Sequence, residues 1–454
     1  MRTDGLLTEG VIWKQILIFS IPLIIGNFFQ QMYNTVDTLV IGNYLGGLAL
    51  ASVGAGNVVI NLLLSLFAGL ATGAGVLIAQ LYGAHAESRV RRAVRTIAAG
   101  TLIAGVAMTV LGVAFCGPAL SLIGTPPEVM PGARLYLRIY FSGILPLMIY
   151  NVGAGVLRAV GDSRTPLYFL AAATVLNVVF DLVFVVVFGL GVGGVAVATL
   201  IAQILAAALI VAKLTTTRAV YRVDLRKLRI DPGILRAILR IGVPAGMQQM
   251  TMSLSNLVVQ SCINALGPTV MAAWNVYNKL DGMAILPILS FGLAMTTFTG
   301  QNVGAGLRDR VYKGAKVGAV MSCAFSAAFS VLLLTCGREL FSFFTQEDEI
   351  VHFGARMIRG MSPFYFLVAL MYTFSGVING AGYSLPTMLI MLTNLCVVRI
   401  AFLKLMPIES VELVTSAFVV SWAACVAGLW LYYRKGAWRK VLPPAAESNA
   451  DENA

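Results

Sequence analysis

Three aspartates interrupt long apolar stretches of this sequence. Asp37, Asp181 and Asp281 each lie deep inside a hydrophobic run. A charged side chain at the centre of a bilayer costs roughly 2.5–3.5 kcal/mol on insertion scales, so such residues normally face a cavity and mark a path for protons or ions. The three aspartates are therefore candidate cation ligands.

Two of these aspartates have an amide on the same helical face. Asn34 precedes Asp37 by three positions, and Asn177 precedes Asp181 by four, which places each pair on one side of a helix. Thr199 adds a hydroxyl from the next apolar run. Together these groups can bind a proton or coordinate Na⁺. The structural alternative is that the aspartates cap a neighbouring helix or pair with Arg399.

Other residues in the apolar runs can be interpreted either structurally or functionally. Asp281 lies near Lys279, so a local ion pair competes with a transport role. Arg399 lies toward the end of a run, where a long side chain can snorkel to the interface or contact a substrate. A set of aromatic residues either packs between helices or lines a substrate cleft: Phe28, Phe29, Tyr33, Trp274 and Tyr277.

The composition explains why the apolar runs must be membrane spans. Of 454 residues, 58% are hydrophobic and 11% are charged, whereas soluble domains contain about 25% charged residues. There is no phosphate-binding loop, no nucleophile–base pair and no cysteine-based metal motif. The sequence thus predicts a polytopic membrane protein that is not an enzyme and has no cofactor, with no metal beyond a Na⁺ at Asp37 and Asp181.

A membrane span needs about 20 mostly apolar residues, and only helices satisfy every backbone group in lipid without a closed barrel. The sequence contains twelve such runs, which predict an all-α protein. The predicted spans are 16–40, 52–80, 94–117, 135–157, 166–189, 193–214, 237–262, 270–300, 314–336, 356–379, 386–406 and 412–433.

The basic residues give the orientation of these spans. Most of the 32 Lys and Arg residues lie in the loops that follow the even-numbered spans up to the eighth, and in the two termini. The positive-inside rule therefore places both termini in the cytoplasm. The net charge of +12 is explained by this topology, so nucleic acid is not expected as a partner.

The two halves of the sequence resemble each other. Pro22 matches Pro244, AQLYGA at 79–84 matches GQNVGA at 300–305, and VLRAVGDS at 156–163 matches VINGAGYS at 377–384. Each half contains six spans, which predicts two six-helix lobes related by a pseudo-twofold axis along the membrane normal. The expected domains are an N-terminal lobe at 1–214, a basic cytoplasmic linker at 215–236, a C-terminal lobe at 237–435 and a disordered tail at 436–454.

Several of these motifs together resemble the multidrug and toxic compound extrusion (MATE) family. They are the IP and NTVDTLVIG segments within 21–46, LIAQLYGA at 77–84, RAVGDSRTP at 158–166 and GQNVGAG at 300–306. The resemblance covers roughly residues 10–435. It implies a secondary antiporter of the bacterial inner membrane that exports cationic or amphipathic compounds in exchange for H⁺ or Na⁺ by alternating access, and we expect a monomer.

The resemblance also implies a cation site in the first lobe. The family uses an Asp on the first helix, an Asn and an Asp on the fifth and a Thr on the sixth, which match Asp37, Asn177, Asp181 and Thr199 here. Some branches also use acidic residues in the second lobe. Because 237–262 and 356–379 contain no acid, this chain is expected to couple through the first lobe.

Three alternatives stay open. A lipid-linked precursor flippase would be expected to have a charged cleft or more than twelve helices. A major-facilitator transporter also has two six-helix halves, but its loop usually carries a DRxGRR-like run, and YGAHAESRVRRAV at 82–94 has the arginines without that pattern. A channel or a membrane-bound enzyme is a further alternative, although no catalytic set lies within the spans.

Overall fold

The computed structural model describes residues 6–345, 347–406 and 410–441, apart from the side chains at 58, 61–63, 66 and 441. Every regular element in these ranges is helical. The α-helices are α1 Ile12–Tyr44, α2 Gly47–Gly83, α3 Glu87–Leu122, α4 Met130–Ser142, α5 Ile144–Ala159, α6 Arg164–Leu182, α7 Gly191–Thr216, α8 Pro232–Ala265, α9 Pro268–Gly304, α10 Arg308–Ser342, α11 Asp348–Met361, α12 Tyr365–Gly380, α13 Ser384–Met391, α14 Arg399–Leu405 and α15 Val411–Lys435.

Each of the twelve predicted spans falls on one helix or on consecutive helical segments. In the described part of the chain, nine helical stretches are long and apolar enough to cross a membrane, and α4 with α5, bent by 48°, makes a tenth. The other two predicted spans correspond to α2 and to α8, which carries several amide and hydroxyl side chains among its apolar residues.

Four of the predicted spans contain interruptions that the hydrophobic pattern did not reveal. Gly143 separates α4 from α5, and a 3₁₀ turn at Ser362–Phe364, which contains Pro363, separates α11 from α12. Two π-helical turns widen the backbone locally, Val183–Val187 after α6 and Leu392–Val398 between α13 and α14. Turns of this kind are frequent at functional sites.

The chain forms two compact units. The unit that we call the N-terminal unit contains Phe19–Ile78 and Glu87–Leu254, and the C-terminal unit contains Met1–Ile18, Ala79–Ala86 and Ser255–Ala454. Three helices therefore pass from one unit into the other, at the peptide bonds after Ile18, Ile78 and Leu254. The predicted lobe boundaries at 214 and 237 stay a prediction.

The N-terminal unit is built around α3, α4, α5, α6 and α7, which pack against one another. Its buried apolar residues include Ile41, Tyr136, Leu137 and Phe141. Small residues bring helices into close contact: Gly69 and Gly73 of α2 lie against Gly246 and Gly242 of α8. Such close backbone approach between apolar helices is typical of membrane proteins.

The C-terminal unit is built around α9, α10, α11, α12 and α15. Two copies of the repeated motif meet in this unit. Gly83 lies against the backbone carbonyl of Gln301, and Gly304 lies against that of Gln80. The reciprocal contact explains why both copies of the motif carry a glycine three positions after the glutamine, because a Cβ at either glycine would collide with backbone.

Candidate functional site

A cavity of about 620 Å³ lies inside the N-terminal unit. Its polar wall is formed by Tyr33, Asn34 and Asp37 of α1 with Thr199 and Gln203 of α7. The rest of the lining is mostly apolar or aromatic, with Tyr136 and Tyr140 contributed by α4. An apolar cavity with a few convergent polar groups is the usual form of a small-molecule site.

The four residues of the predicted cation site lie next to this cavity. Asp37 and Thr199 line it, whereas Asn177 and Asp181 lie behind the lining with no exposed surface. The carboxyl groups of Asp37 and Asp181 are close enough to share a hydrogen bond when one of them carries a proton. The helix spacing predicted which residues share a face, and the packing brings α1, α6 and α7 together.

These residues have polar atoms that the protein leaves without partners. No hydrogen bond from the described residues reaches the buried Oδ1 of Asp37, either carboxylate oxygen of Asp181, either amide atom of Asn177 or the hydroxyl of Thr199. Burying a polar group without a partner costs free energy. Four such side chains in one place therefore indicate a position for a bound proton, a cation or water.

The neighbouring residues differ in how they relate to the cavity. Asn34 is exposed and lines the cavity one turn before Asp37. Tyr33 also lines it, but Phe28 and Phe29 do not. The sequence analysis did not identify three further cavity residues, Tyr136, Tyr140 and Gln203. The available signal was the spacing of four, which places Tyr136 with Tyr140, and Gln203 with Thr199, on one helical face.

Trp274 and Tyr277 lie elsewhere, in the core of the C-terminal unit. Trp274 is 5% exposed and Tyr277 is 1% exposed. Their rings stack with centroids 5.5 Å apart, and Trp274 also contacts Phe418, with centroids 5.8 Å apart. In this structure these two predicted cleft residues pack as core residues.

Asp281 belongs to a tyrosine cluster in the same unit. The hydroxyl of Tyr365 donates to Asp281 Oδ1 at 2.6 Å, and the hydroxyl of Tyr277 lies 3.3 Å from the same oxygen. The two hydroxyl oxygens are 2.9 Å apart. Lys279 does not pair with Asp281, because its Nζ lies over the ring of Phe344 at 5.4 Å.

Arg399 is buried in the C-terminal unit, so the snorkelling interpretation is wrong. It is 4% exposed, and its guanidinium lies 4.2 Å from the centroid of the Phe418 ring. Two serines accept hydrogen bonds from it, Ser421 at 3.0 Å and Ser255 at 2.9 Å. No carboxylate of the described residues forms an ion pair with Arg399, and Asp37 and Asp181 lie in the other unit.

The comparison with known families decides the identity of the chain. The family model MatE matches residues 22–183 and 244–404, which are the two repeats. The chain belongs to the MATE family. This is a family of transporters, so the protein is not an enzyme, and the major-facilitator alternative is set aside.

Known relatives agree with this assignment over nearly the whole chain. The probable multidrug resistance protein YpnP of Bacillus subtilis (strain 168) is 29% identical, covering 96% of this chain and 97% of the relative. The probable multidrug resistance protein NorM of Thermotoga maritima is 24% identical, covering 94% and 93%. The chain is therefore similar to these two probable multidrug resistance proteins over at least 94% of its length.

Solved structures confirm the fold class. An outward-facing multidrug resistance MATE transporter of the MOP superfamily matches with a TM-score of 0.90 and 25% identity, covering 96% of this chain and 99% of that one. The predicted all-α polytopic fold, which in this family is a twelve-helix protein with two lobes, is confirmed. The chain is a MATE efflux transporter of a membrane, and its substrates are small molecules.

Proposed function

We propose that this protein is an antiporter that exports cationic or amphipathic compounds in exchange for H⁺ or Na⁺. The observation that carries the proposal is the set of unpartnered polar atoms on Asp37, Asn177, Asp181 and Thr199 beside a largely apolar cavity. In this proposal the protein works as a monomer in the bacterial inner membrane, with both termini in the cytoplasm, as the distribution of basic residues predicts.

The four side chains suit either coupling ion. Asp37 and Asp181 are close enough to share one proton. Two carboxylates in an apolar surrounding cannot easily both be ionised, so one of them is expected to bind a proton or a cation. The carboxylate, amide and hydroxyl oxygens are also hard ligands of the kind that small hard cations prefer. The coupling ion is cargo in either case, and these residues bind it at one stage of the cycle.

Asp37 explains how the ion and the compound can compete. It lines the cavity, and it also faces Asp181. A positively charged compound in the cavity is stabilised by the ionised form of Asp37, whereas a bound proton or Na⁺ neutralises that charge. Each ligand therefore lowers the affinity for the other, which is the reciprocal coupling that exchange requires.

The available driving forces are sufficient for export. An inward unit charge gains about 2.3 kcal/mol per 100 mV of membrane potential, and one pH unit adds about 1.4 kcal/mol for a proton. One pH unit therefore supports about a tenfold gradient of a compound exported for one proton, since about 1.4 kcal/mol corresponds to a factor of ten. The membrane potential adds to this gradient when the exchange moves net positive charge inward, as it does for an uncharged or zwitterionic compound.

Retention of a fluorescent cationic dye in energised cells tests the proposal. Cells with the wild-type protein should retain less dye than cells without it, and Asp181→Asn should abolish the difference at matched expression. Asp309→Asn is the matched control, because Asp309 is an exposed residue in the first turn of α10. Full export by the double variant Asp37→Asn and Asp181→Asn would contradict the proposed site.

The coupling ion is then identified in vesicles that contain the purified protein. Dye movement is measured while either a Na⁺ gradient or a pH gradient is imposed, with the membrane potential clamped. Movement that follows neither gradient would show that the protein is not a cation-coupled antiporter.

A further inference from the structure

The end of the linker is tied to a residue that lines the cavity of the N-terminal unit. Thr96 of α3 is one of the lining residues and is 1% exposed. Its hydroxyl donates to the backbone carbonyl of Arg229 at 3.3 Å and accepts from the backbone amide of Asp231 at 3.1 Å. A threonine inside a helix commonly bonds to a carbonyl one turn back in its own helix, whereas Thr96 uses both functions of its hydroxyl on the linker.

Asp231 connects the same point to the start of α8. Its Oδ1 accepts from the backbone amides of Gly233 at 2.9 Å and Ile234 at 3.2 Å, which caps the helix. Its Oδ2 lies 3.7 Å from Nη1 of Arg92 on α3. Because the side chain of Arg92 is exposed, this ion pair stabilises little, and the buried hydroxyl of Thr96 is the stronger of the two ties.

The start of α8 forms part of the cavity wall. Leu235, Ile238 and Leu239 line the cavity, and Ile238 is 6% exposed. These three residues follow closely on the capped end of the helix at Pro232. The position of this part of the wall therefore depends on where the linker holds the start of α8.

α8 has a weak point beyond this segment. Pro244 lies inside the helix and cannot donate the backbone hydrogen bond of its position. Gly242 and Gly246, on either side of it, pack directly against glycines of α2. The contact with α2 holds the helix at this point, and the missing hydrogen bond lets the segment before it bend together with the cavity wall that it carries.

We propose that Thr96 and Asp231 form a latch that holds the start of α8 in the cavity wall, and that opening the latch connects the cavity to the side of the membrane on which the linker lies. The inference rests on the proposed function, in which that side is the cytoplasm and the cavity takes up the compound. Release of the two hydrogen bonds and bending at Pro244 move Ile238 away from the cavity. Asp37 lies on α1, so the latch controls entry of the compound and leaves the cation ligands in place.

The reactivity of a thiol in the cavity wall measures the state of the latch. Ile238→Cys introduces this thiol. The six native cysteines are not among the lining residues, and peptide mass spectrometry reads the alkylation at position 238 separately from theirs. A membrane-impermeant maleimide is added to inside-out vesicles, which expose the cytoplasmic side, and to right-side-out vesicles, which expose the other side.

Thr96→Val in this background keeps the shape of the side chain and removes the hydroxyl, so the amide of Asp231 loses this partner. In inside-out vesicles we expect alkylation at position 238 to become about tenfold faster, equivalent to about 1.4 kcal/mol, with no change in right-side-out vesicles. Thr96→Ser keeps the hydroxyl and should react at the original rate. Thr101→Ala is the matched control, because Thr101 lines the same cavity on the same helix but its hydroxyl bonds to the carbonyl of Ile97.

A second pair of variants keeps the test informative if Thr96→Val folds poorly, which thermal unfolding reports. Asp231→Ala removes the helix cap and the ion pair at a half-buried residue and should make alkylation severalfold faster in inside-out vesicles. Asp224→Ala is its control and should leave the rate unchanged. Asp224 likewise accepts from a backbone amide, that of Arg226, and pairs with Lys227, but both of these partners lie within the linker.

The outcomes distinguish the latch from the proposed function. Alkylation in Thr96→Val and Asp231→Ala at the rates of their controls, or equally faster from both sides, would overturn the latch, while the proposed export would stand. Excess rhodamine 6G, a cationic dye, should slow alkylation of Thr96→Val in inside-out vesicles, because the dye occupies the cavity. Faster alkylation that the dye does not slow would overturn the cavity as the site of the compound, on which both proposals depend.

Discussion

Asp37 differs from Asp181 in what it contacts, although both are aspartates inside spans. Asp37 lines the cavity, whereas Asp181 has no exposed surface. In the proposed function, a compound in the cavity therefore interacts directly with Asp37, and Asp181 acts on it through Asp37. If the proposal holds, the neutral residues Asn177 and Thr199 report on the coupling ion alone, because they carry no charge that the compound needs.

Replacing Thr199 should separate Na⁺ from H⁺. A proton needs only the two carboxyl groups, but Na⁺ needs further oxygen ligands, and Thr199 has a buried hydroxyl to which no described residue bonds. We expect Thr199→Ala to raise the Na⁺ concentration for half-maximal export about tenfold, equivalent to about 1.4 kcal/mol, with pH-driven export unchanged.

The measurement is dye export from vesicles at a series of Na⁺ concentrations. Thr165→Ala is not a suitable control, because Thr165 bonds to Asp162. Thr38→Ala is a better one, since Thr38 lies on the cavity wall and, among the described residues, its hydroxyl bonds only to the carbonyl of Asn34. Equal effects of Thr199→Ala on both driving ions would argue against Thr199 as a Na⁺ ligand.

The tyrosine cluster around Asp281 gives a second prediction at the residue scale, on stability. Tyr365→Phe removes the 2.6 Å hydrogen bond to Asp281 and leaves a buried ring in place. Hydrogen bonds to carboxylates contribute about 1.5–3 kcal/mol, so the thermal midpoint of the detergent-solubilised protein should fall. Tyr168→Phe, at a tyrosine that is 66% exposed, should leave it unchanged, and equal midpoints for both variants would contradict the assignment.

Much of the cation site was predictable from residue types and spacing, but the surroundings of Asp281 and Arg399 were not. Asn177 and Asp181 share a helical face whatever packs against it, so their pairing follows from the chain alone. The partners of Arg399 come from α8 and α15, at Ser255 and Ser421. Helical periodicity indicates which face a residue occupies but not which distant helix covers that face.

At the scale of elements, the contact between α2 and α9 depends on two glycines. A Cβ on Gly83 would lie against the carbonyl of Gln301 much closer than real Cβ atoms approach, and backbone cannot rotate away as a side chain can. We expect Gly83→Ala to reduce the yield of folded protein and its thermal midpoint. Size-exclusion chromatography with heating measures both quantities.

Gly100→Ala is the matched control, because Gly100 is also helical and has nothing within 4 Å of the added Cβ. Alanine in a helix interior is favoured over glycine by roughly 0.5–1 kcal/mol, so the control should be neutral or slightly stabilising. A Gly83→Ala protein as stable as this control would mean that α2 and α9 separate easily at this point.

The helices themselves follow from composition, whereas their breaks do not. Apolar runs of sufficient length fold as helices in lipid because no other partner satisfies the backbone, so all twelve predicted spans fall on helices. Some turns between helices are marked by a glycine in the sequence. Gly46 and Gly267, at matching places in the two repeats, lie between two helices and adopt positive φ angles of 80° and 103°. The π-turn before Arg399 leaves no such mark, because its sequence LTNLCVV contains neither glycine nor proline.

At the scale of the whole molecule, the segment just before α1 is held by the C-terminal unit although most of α1 belongs to the N-terminal unit. Arg310 donates to the carbonyls of Leu7, Glu9 and Gly10. Gln301 accepts from the amide of Leu7 at 2.8 Å. The helix that carries Asp37 is thus tied just before its first turn to α9 and α10, through a segment whose sequence is too short and polar to predict any contact.

Releasing this tie should change the rate of export more than the affinity for the compound. Arg310→Ala removes four hydrogen bonds to three carbonyls, and Arg310→Lys should not restore them, since an ammonium cannot span three acceptors in one plane. Because the cavity residues are untouched, dye affinity should stay within twofold. The amide of Leu7 should exchange with deuterium faster in Arg310→Ala, whereas Lys313→Ala, at an exposed residue of the same helix, should leave it protected.

Slower dye export together with faster exchange at Leu7 would show that movement of α1 in the cycle depends on an anchored start. Unchanged export despite full loss of protection would show that the anchor stabilises the C-terminal unit alone.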